Sequence, residues 1–142
     1  MRKADRILAN QRGMTLVEII VVIIILSIMA SVVGPQLFKN VDKANVSQAK
    51  HQIGIFKSAI NMYRLDTGGL PMTQHGLTAL VKNPGVDGWD GPYLEDNEIP
   101  LDPWGNPYAY QSPGTSGRDY DIISYGKNKA PGGDSYNADI IN

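Results

Sequence analysis

Arg12-Gly13-Met14-Thr15-Leu16-Val17-Glu18 leads without a break into Ile19-Ile20-Val21-Val22-Ile23-Ile24-Ile25-Leu26-Ser27-Ile28-Met29-Ala30-Ser31-Val32-Val33. The second stretch carries no charge, and counted from Met14 the run is 20 residues long. As a helix rising about 1.5 Å per residue it measures about 30 Å, one hydrocarbon thickness of a bilayer. A cleaved secretory signal is the rival reading, but its apolar core is shorter and closes on a small-x-small site. Here Gly34-Pro35-Gln36 follows, and a helical pattern continues beyond it. The run therefore predicts a retained membrane helix over 14–35.

Charge is distributed unevenly around this helix. The chain of 142 residues has 13 Lys and Arg against 14 Asp and Glu, yet Arg2, Lys3, Arg6 and Arg12 face only Asp5 in the first 13 positions. The basic leader predicts a cytoplasmic N-terminus, with the rest of the chain across the membrane. The near-neutral balance offers no basic face for nucleic acid, and none is expected as a partner. With no cysteine, disulfide scaffolds, Cys-ligated metal centres and thiol nucleophiles are excluded. Glu18 stands just inside the apolar stretch, where a carboxylate is costly unless it is paired or reaches the headgroups. Position alone leaves both readings open.

Beyond the membrane run, Leu37, Val41, Ala44, Ala49, Ile53, Phe56, Ile60 and Tyr63 recur mostly at three- and four-residue spacing, with charged residues largely between them. This pattern predicts an amphipathic continuation of the same helix, ending near Thr67-Gly68-Gly69 with Gly68 as a left-handed cap. Pro35 lies inside it and cannot donate to Ser31, so a kink, local unwinding or a simple bend is expected there. A short second helix is predicted from Thr73 as N-cap through Leu77, Ala79, Leu80 and Val81. Residues 83–107 are rich in proline, and Asp102-Pro103-Trp104-Gly105 reads as a turn that buries its indole. Alternation at Tyr108–Tyr110 and Tyr120–Ile122, on either side of 112–117, predicts a hairpin. The expected body is α+β, one long helix packed on a small antiparallel sheet.

Residues 126–139, Gly-Lys-Asn-Lys-Ala-Pro-Gly-Gly-Asp-Ser-Tyr-Asn-Ala-Asp, combine glycine with oxygen-bearing side chains. A hard cation needs such a loop, and a solvated surface loop has the same composition. Enzyme signatures are lacking: His51 and His75 have no metal spacing, and no nucleophile elbow or phosphate loop occurs. His51 reads as a solvent-facing helix residue, His75 as a first-turn residue, and Glu95, Asp96 and Glu98 as a solvated cluster.

The step from Arg12-Gly13 to Met14, with Glu18 four residues later opening an apolar helix, resembles the prepilin peptidase site of type IV pilins and type II secretion pseudopilins. Met62-Tyr63-Arg64-Leu65-Asp66, Leu70-Pro71, Gly76-Leu77-Thr78-Ala79-Leu80, Gly91-Pro92-Tyr93-Leu94, the block from Pro100 to Tyr108 and Asp121-Ile122-Ile123-Ser124-Tyr125-Gly126 are more specific. Together they resemble the major pseudopilins of bacterial type II secretion. The resemblance implies a type IV pilin-like fold and cleavage after Gly13 by the prepilin peptidase, which also N-methylates Met14. The leader would be residues 1–13, the transmembrane segment 14–35 and the periplasmic domain 36–142.

It further implies an assembly role for Glu18, whose carboxylate would neutralise the Met14 ammonium of a neighbouring subunit. The implied partners are further copies of the chain, minor pseudopilins, the inner-membrane assembly platform and membrane lipid. The implied function is a non-enzymatic one: a short periplasmic filament that drives proteins through an outer-membrane pore. A pilin for adhesion, motility or DNA uptake is the alternative within the superfamily. Finally, the resemblance implies Ca2+ in the 126–139 loop. Asn128 stands where the family has its first aspartate, Tyr125 and Ala130 are carbonyl donors, and Asp134 and Asp139 are candidates for the second carboxylate. Asn128 lacks a charge, and Lys127 and Lys129 flank it, so weaker binding is expected.

Overall fold

A computed structural model of the chain describes residues 13–142. The leader residues Arg2, Lys3, Arg6 and Arg12 lie outside that range. One helix, α1 (Leu16–Thr67), is followed by three short strands, β1 (Ala109–Gln111), β2 (Asp121–Ser124) and β3 (Ile140–Ile141). Short 3-10 turns occupy Gly76–Leu80, Thr115–Gly117 and Ser135–Asn137. The chain divides into two compact units, one ending at Lys39 and one spanning Asn40–Asn142.

In the first unit the described residues are helix with a short lead-in. Its apolar side chains are exposed all round, Ile23 at 56% and Val32 at 63% among them. Such a helix has no stripe to fold against a body; it suits lipid or the flanks of other helices. It is long and apolar enough to cross a membrane. Ser27 and Ser31 satisfy their hydroxyls within it, donating to the Ile23 and Ile28 carbonyls at 2.7 Å each. Helical geometry runs unbroken through Pro35, so the unwinding considered for this junction does not occur. The proline forfeits one backbone bond, and the turns on either side keep theirs.

In the second unit α1 becomes one-sided. Ala49, Ile53, Phe56, Ala59, Ile60 and Tyr63 are buried, on the stripe that their spacing predicts. Phe56 meets the edge of Tyr108 at 5.1 Å between ring centroids, and Tyr63 meets Tyr93 at 5.8 Å. Leu77, Leu80, Leu94, Ile122 and Ile140 complete the same core. The helix stops as expected: Gly68 takes φ of 74° and donates its N–H to the Arg64 carbonyl at 2.9 Å. A residue with a Cβ adopts that left-handed conformation only at a cost.

The sheet has the order β1-β2-β3, with antiparallel pairing of Tyr110 to Ile122 and of Ser124 to Ile140. The first pair is the predicted hairpin. Two expectations need correction. Thr73 caps no helix; its hydroxyl donates to the Ser112 carbonyl at 2.8 Å and accepts the Ser112 N–H at 2.9 Å, fastening this loop to the end of β1. The predicted second helix is only the five-residue 3-10 turn, with His75 at its N-cap and no side-chain cap. β3 was not foreseen, because two residues are too few to show alternation.

Candidate functional site

At the N-terminus of α1, the Thr15 hydroxyl accepts the Glu18 N–H at 3.2 Å. This is half of a capping box, whose S/T-x-x-E signature is legible in Thr15-Leu16-Val17-Glu18. Glu18 sits in the first helical turn, where the helix dipole favours an anion. Gly13 and Met14 precede the helix in exposed backbone, Met14 being 68% exposed. Among the described residues Glu18 enters no ion pair.

The second candidate site is the 126–139 loop. Asp139 accepts the Gly132 N–H on Oδ2 at 2.9 Å, while its Oδ1 is buried with no hydrogen-bond partner. Asn128 Oδ1 accepts the Ala130 N–H at 3.4 Å. Gly133, at φ of 109°, lets its backbone pass so close to Asn137 that a Cβ would stand 2.5 Å from the Asn137 carbonyl oxygen. The loop thus brings Asn128, Gly132, Gly133 and Asp139 together. Asp134 is less engaged: it holds the N-cap of the 135–137 turn, exposed, with no side-chain cap bond. Tyr125 directly follows β2 and Ala130 lies in the exposed arm.

Among the described residues no three His, Cys, Asp or Glu side chains gather. A cation held here would draw on at most two carboxylates, with carbonyl and amide oxygens supplying the rest. Lys127, expected to depress cation binding, turns instead to Asp42 on α1, with Nζ 3.2 Å from Oδ1. Its charge is spent outside the loop.

The root of this loop is set by Asp102, which is 4% exposed. Its Oδ1 accepts the N–H groups of Trp104 and Asn106 at 3.0 and 2.8 Å, and its Oδ2 accepts the Ser124 hydroxyl at 2.7 Å. The Gly126 N–H then donates to Ser124 Oγ at 3.3 Å. Sequence reasoning took this aspartate for the opening of a turn; it also ties that turn to β2. A second buried carboxylate, Asp121, accepts the Thr115 hydroxyl and N–H at 2.6 and 2.7 Å. Its Oδ1 lies 2.7 Å from Arg118 Nε, close enough for an ion pair but off hydrogen-bond alignment. The Thr115 hydroxyl chiefly holds the Asp121 carboxyl below the usual range, against burial, with the Thr115 N–H and Arg118 assisting. Asp102 uses both of its oxygens as acceptors, and Asp121 uses Oδ2 as an acceptor and Oδ1 as an ion-pair partner; each holds a loop to the sheet.

A capped apolar helix long enough to cross a membrane, whose first-turn carboxylate has no ion-pair partner among the described residues, runs into a small α+β body, which is the organisation of a pilin-like subunit. The family described as type II secretion system protein G matches residues 36–142, and the prokaryotic N-terminal methylation motif matches residues 8–34. The chain belongs to the type II secretion system protein G family. It is 46% identical over 139 residues to the type II secretion system core protein G of Pseudomonas aeruginosa, covering 94% of this chain and 95% of that one. Its identity to the Vibrio cholerae serotype O1 protein of the same name is 41% over 137 residues, covering 94% and 92%. The crystal structure of the major pseudopilin from the type 2 secretion system of enterohaemorrhagic Escherichia coli superposes with a TM-score of 0.62 at 36% identity. That match covers 76% of this chain and 94% of the other.

Proposed function

We propose that this chain is the major subunit of a periplasmic pseudopilus. It is made as an inner-membrane precursor, cleaved after Gly13 by the prepilin peptidase and methylated on Met14. It then polymerises with further copies, beside minor pseudopilins, on the inner-membrane assembly platform. The observation that carries this reading is Glu18, which has no ion-pair partner among the described residues, at the head of a helix whose apolar side chains are exposed. The match over 36–142 favours a secretion subunit over a pilin for adhesion, motility or DNA uptake. The role is structural, with no catalytic constellation required.

Deleting the gene should trap a normally exported protein in the periplasm, and the wild-type copy should release it. A copy with Gly13 replaced by a bulky residue should not, because the peptidase needs an extended, unobstructed backbone at the membrane face. Mass spectrometry should then find the leader still attached. Restored export by that copy with an intact leader would contradict the reading.

The 126–139 loop is proposed to hold Ca2+. The partnerless Asp139 Oδ1 is the observation in favour, since a buried carboxylate oxygen left bare is costly. Asp139 and Asp134 would supply charge, Asn128 a neutral oxygen, and Tyr125 and Ala130 main-chain carbonyls. The ion would cross-link the arms of a loop that has almost no apolar side chain to anchor it. A ligand bound only by the folded state stabilises by about 2.7 kcal/mol at a hundredfold excess over Kd. The melting temperature of the 36–142 body should therefore rise by several degrees in millimolar calcium and fall with chelator. Asp139→Ala should remove the difference; a calcium-independent melt of the wild type would refute the site.

A further inference from the structure

The second unit carries two unpaired charged surfaces of opposite sign. Lys43, Lys50 and Lys57 recur every seven residues along α1, so they share one exposed stripe. Arg64 continues the spacing but is engaged by Asp119 at 3.3 Å. On another face, Ile55, Ala59 and Met62 of α1 and the 93–100 segment line a groove of about 460 Å³ rimmed by Glu95, Asp96 and Glu98. A neighbouring groove shares Met62 and Tyr93 and adds Leu65, Asp66 and Asp90. Among the described residues no Lys or Arg lines either groove. Among the described residues, none of the three lysines and none of Glu95, Asp96 and Glu98 enters an ion pair. The floor is apolar and open, with Met62 55% and Leu65 83% exposed.

At about 100° per residue, the lysine stripe lies about 100° to one side of the buried stripe centred on Phe56 and Ile60. The groove residues of α1 lie about 100° to the other side. The two surfaces thus occupy opposite flanks of the body, and one copy cannot bring them together. Complementary surfaces on opposite flanks make a heterologous contact, which propagates into an open helical array instead of closing a dimer. A lysine also fits both layers of the groove: its methylene stem covers Ile55 and Met62 while its ammonium reaches the acidic rim.

We propose that the acidic groove of one subunit receives the Lys43-Lys50-Lys57 stripe of a second copy, as a lateral contact of the fibre; this rests on the polymerisation reading above. The contact sets the order of subunits by charge, since stripe against stripe and groove against groove repel. Fibre yield should fall as ionic strength rises, because the rims are exposed.

The test uses the full chain, processed in its own membrane, with fibre recovered from lysed cells as the readout and protease resistance of the body as a control for folding. Lys50→Glu with Lys57→Glu should lower fibre yield by about tenfold or more, as should Glu95→Lys with Glu98→Lys. Combining all four should recover most of the yield. The chain has no cysteine of its own, so Lys57→Cys with Glu98→Cys gives disulfide-linked ladders only if the two positions meet between copies. Wild-type fibre from both reversed pairs, or a fourfold variant no better than either pair, overturns the contact and leaves polymerisation standing. A wild-type chain that yields no fibre overturns both. Fibre lost in the groove variant alone, with no ladder, assigns the groove to a different basic partner and also overturns it.

Discussion

Cells whose only copy carries Glu18→Ala should insert the precursor, remove its leader and yet yield almost no fibre. The substitution deletes a charge that is costly in lipid, so membrane insertion is unimpaired or improved. What it removes is the only acidic group between Met14 and Val33, and with it the proposed counter-ion for the Met14 ammonium of a neighbour. Leaving one member of a buried ion pair without the other costs about 3 to 5 kcal/mol, a factor of roughly 150 to 5,000 per subunit added. The capping geometry makes a sharper test available. If Glu18 served only to start the helix, Glu18→Gln would substitute well, because glutamine completes a capping box. The ion-pair account requires Glu18→Gln to fail as Glu18→Ala fails. Normal fibre yield from lysed cells carrying Glu18→Gln would reduce the carboxylate to a helix cap.

The largest effect on stability is expected at Asp102. Truncation to alanine leaves the Trp104 and Asn106 N–H groups and the Ser124 hydroxyl without their acceptor in a buried setting. Each donor to a charged group is worth about 1.5 to 3 kcal/mol, and the three share one anion, so a total near 4 kcal/mol is expected. For a body of this size that lowers the melting temperature by well over ten degrees. Asp102→Asn keeps one acceptor oxygen and should lose about half as much. Urea unfolding of the 36–142 body measures both; a loss under about 1 kcal/mol for Asp102→Ala would mean that water replaces the carboxylate.

These two residues mark how far the sequence could be read. The helix and its end were legible because periodicity and left-handed caps are local, as the Ala49 to Tyr63 stripe and Gly68 show. The hairpin was legible for the same reason. Asp102 was visible as a turn residue only, since its tie to Ser124 joins positions 22 apart in the chain. Thr73 was misassigned because a threonine ahead of apolar residues looks like a cap, while its partner, Ser112, is distant in sequence. Lys127 reads in the sequence as a loop charge, and only the fold brings Asp42 to it. At the candidate cation site the residue types were legible, but the bare Oδ1 of Asp139 belongs to the folded backbone. The acidic cluster at Glu95, Asp96 and Glu98 was correctly read as exposed; the apolar floor beside it comes from α1, some 40 residues earlier in the chain.

The pairing of Ser124 with Ile140 closes the 126–139 segment with a rung of the sheet, and Asp102 fixes its first residue through Ser124. The mouth of the loop is therefore held by bonds that do not involve its interior. Entropy of closure grows only as the logarithm of length, so doubling the segment adds about 0.6 kcal/mol. A foreign peptide grafted between Ala130 and Gly132 would be displayed on each subunit without disturbing the sheet, and a fibre so decorated would become a repeating scaffold for whatever the graft binds.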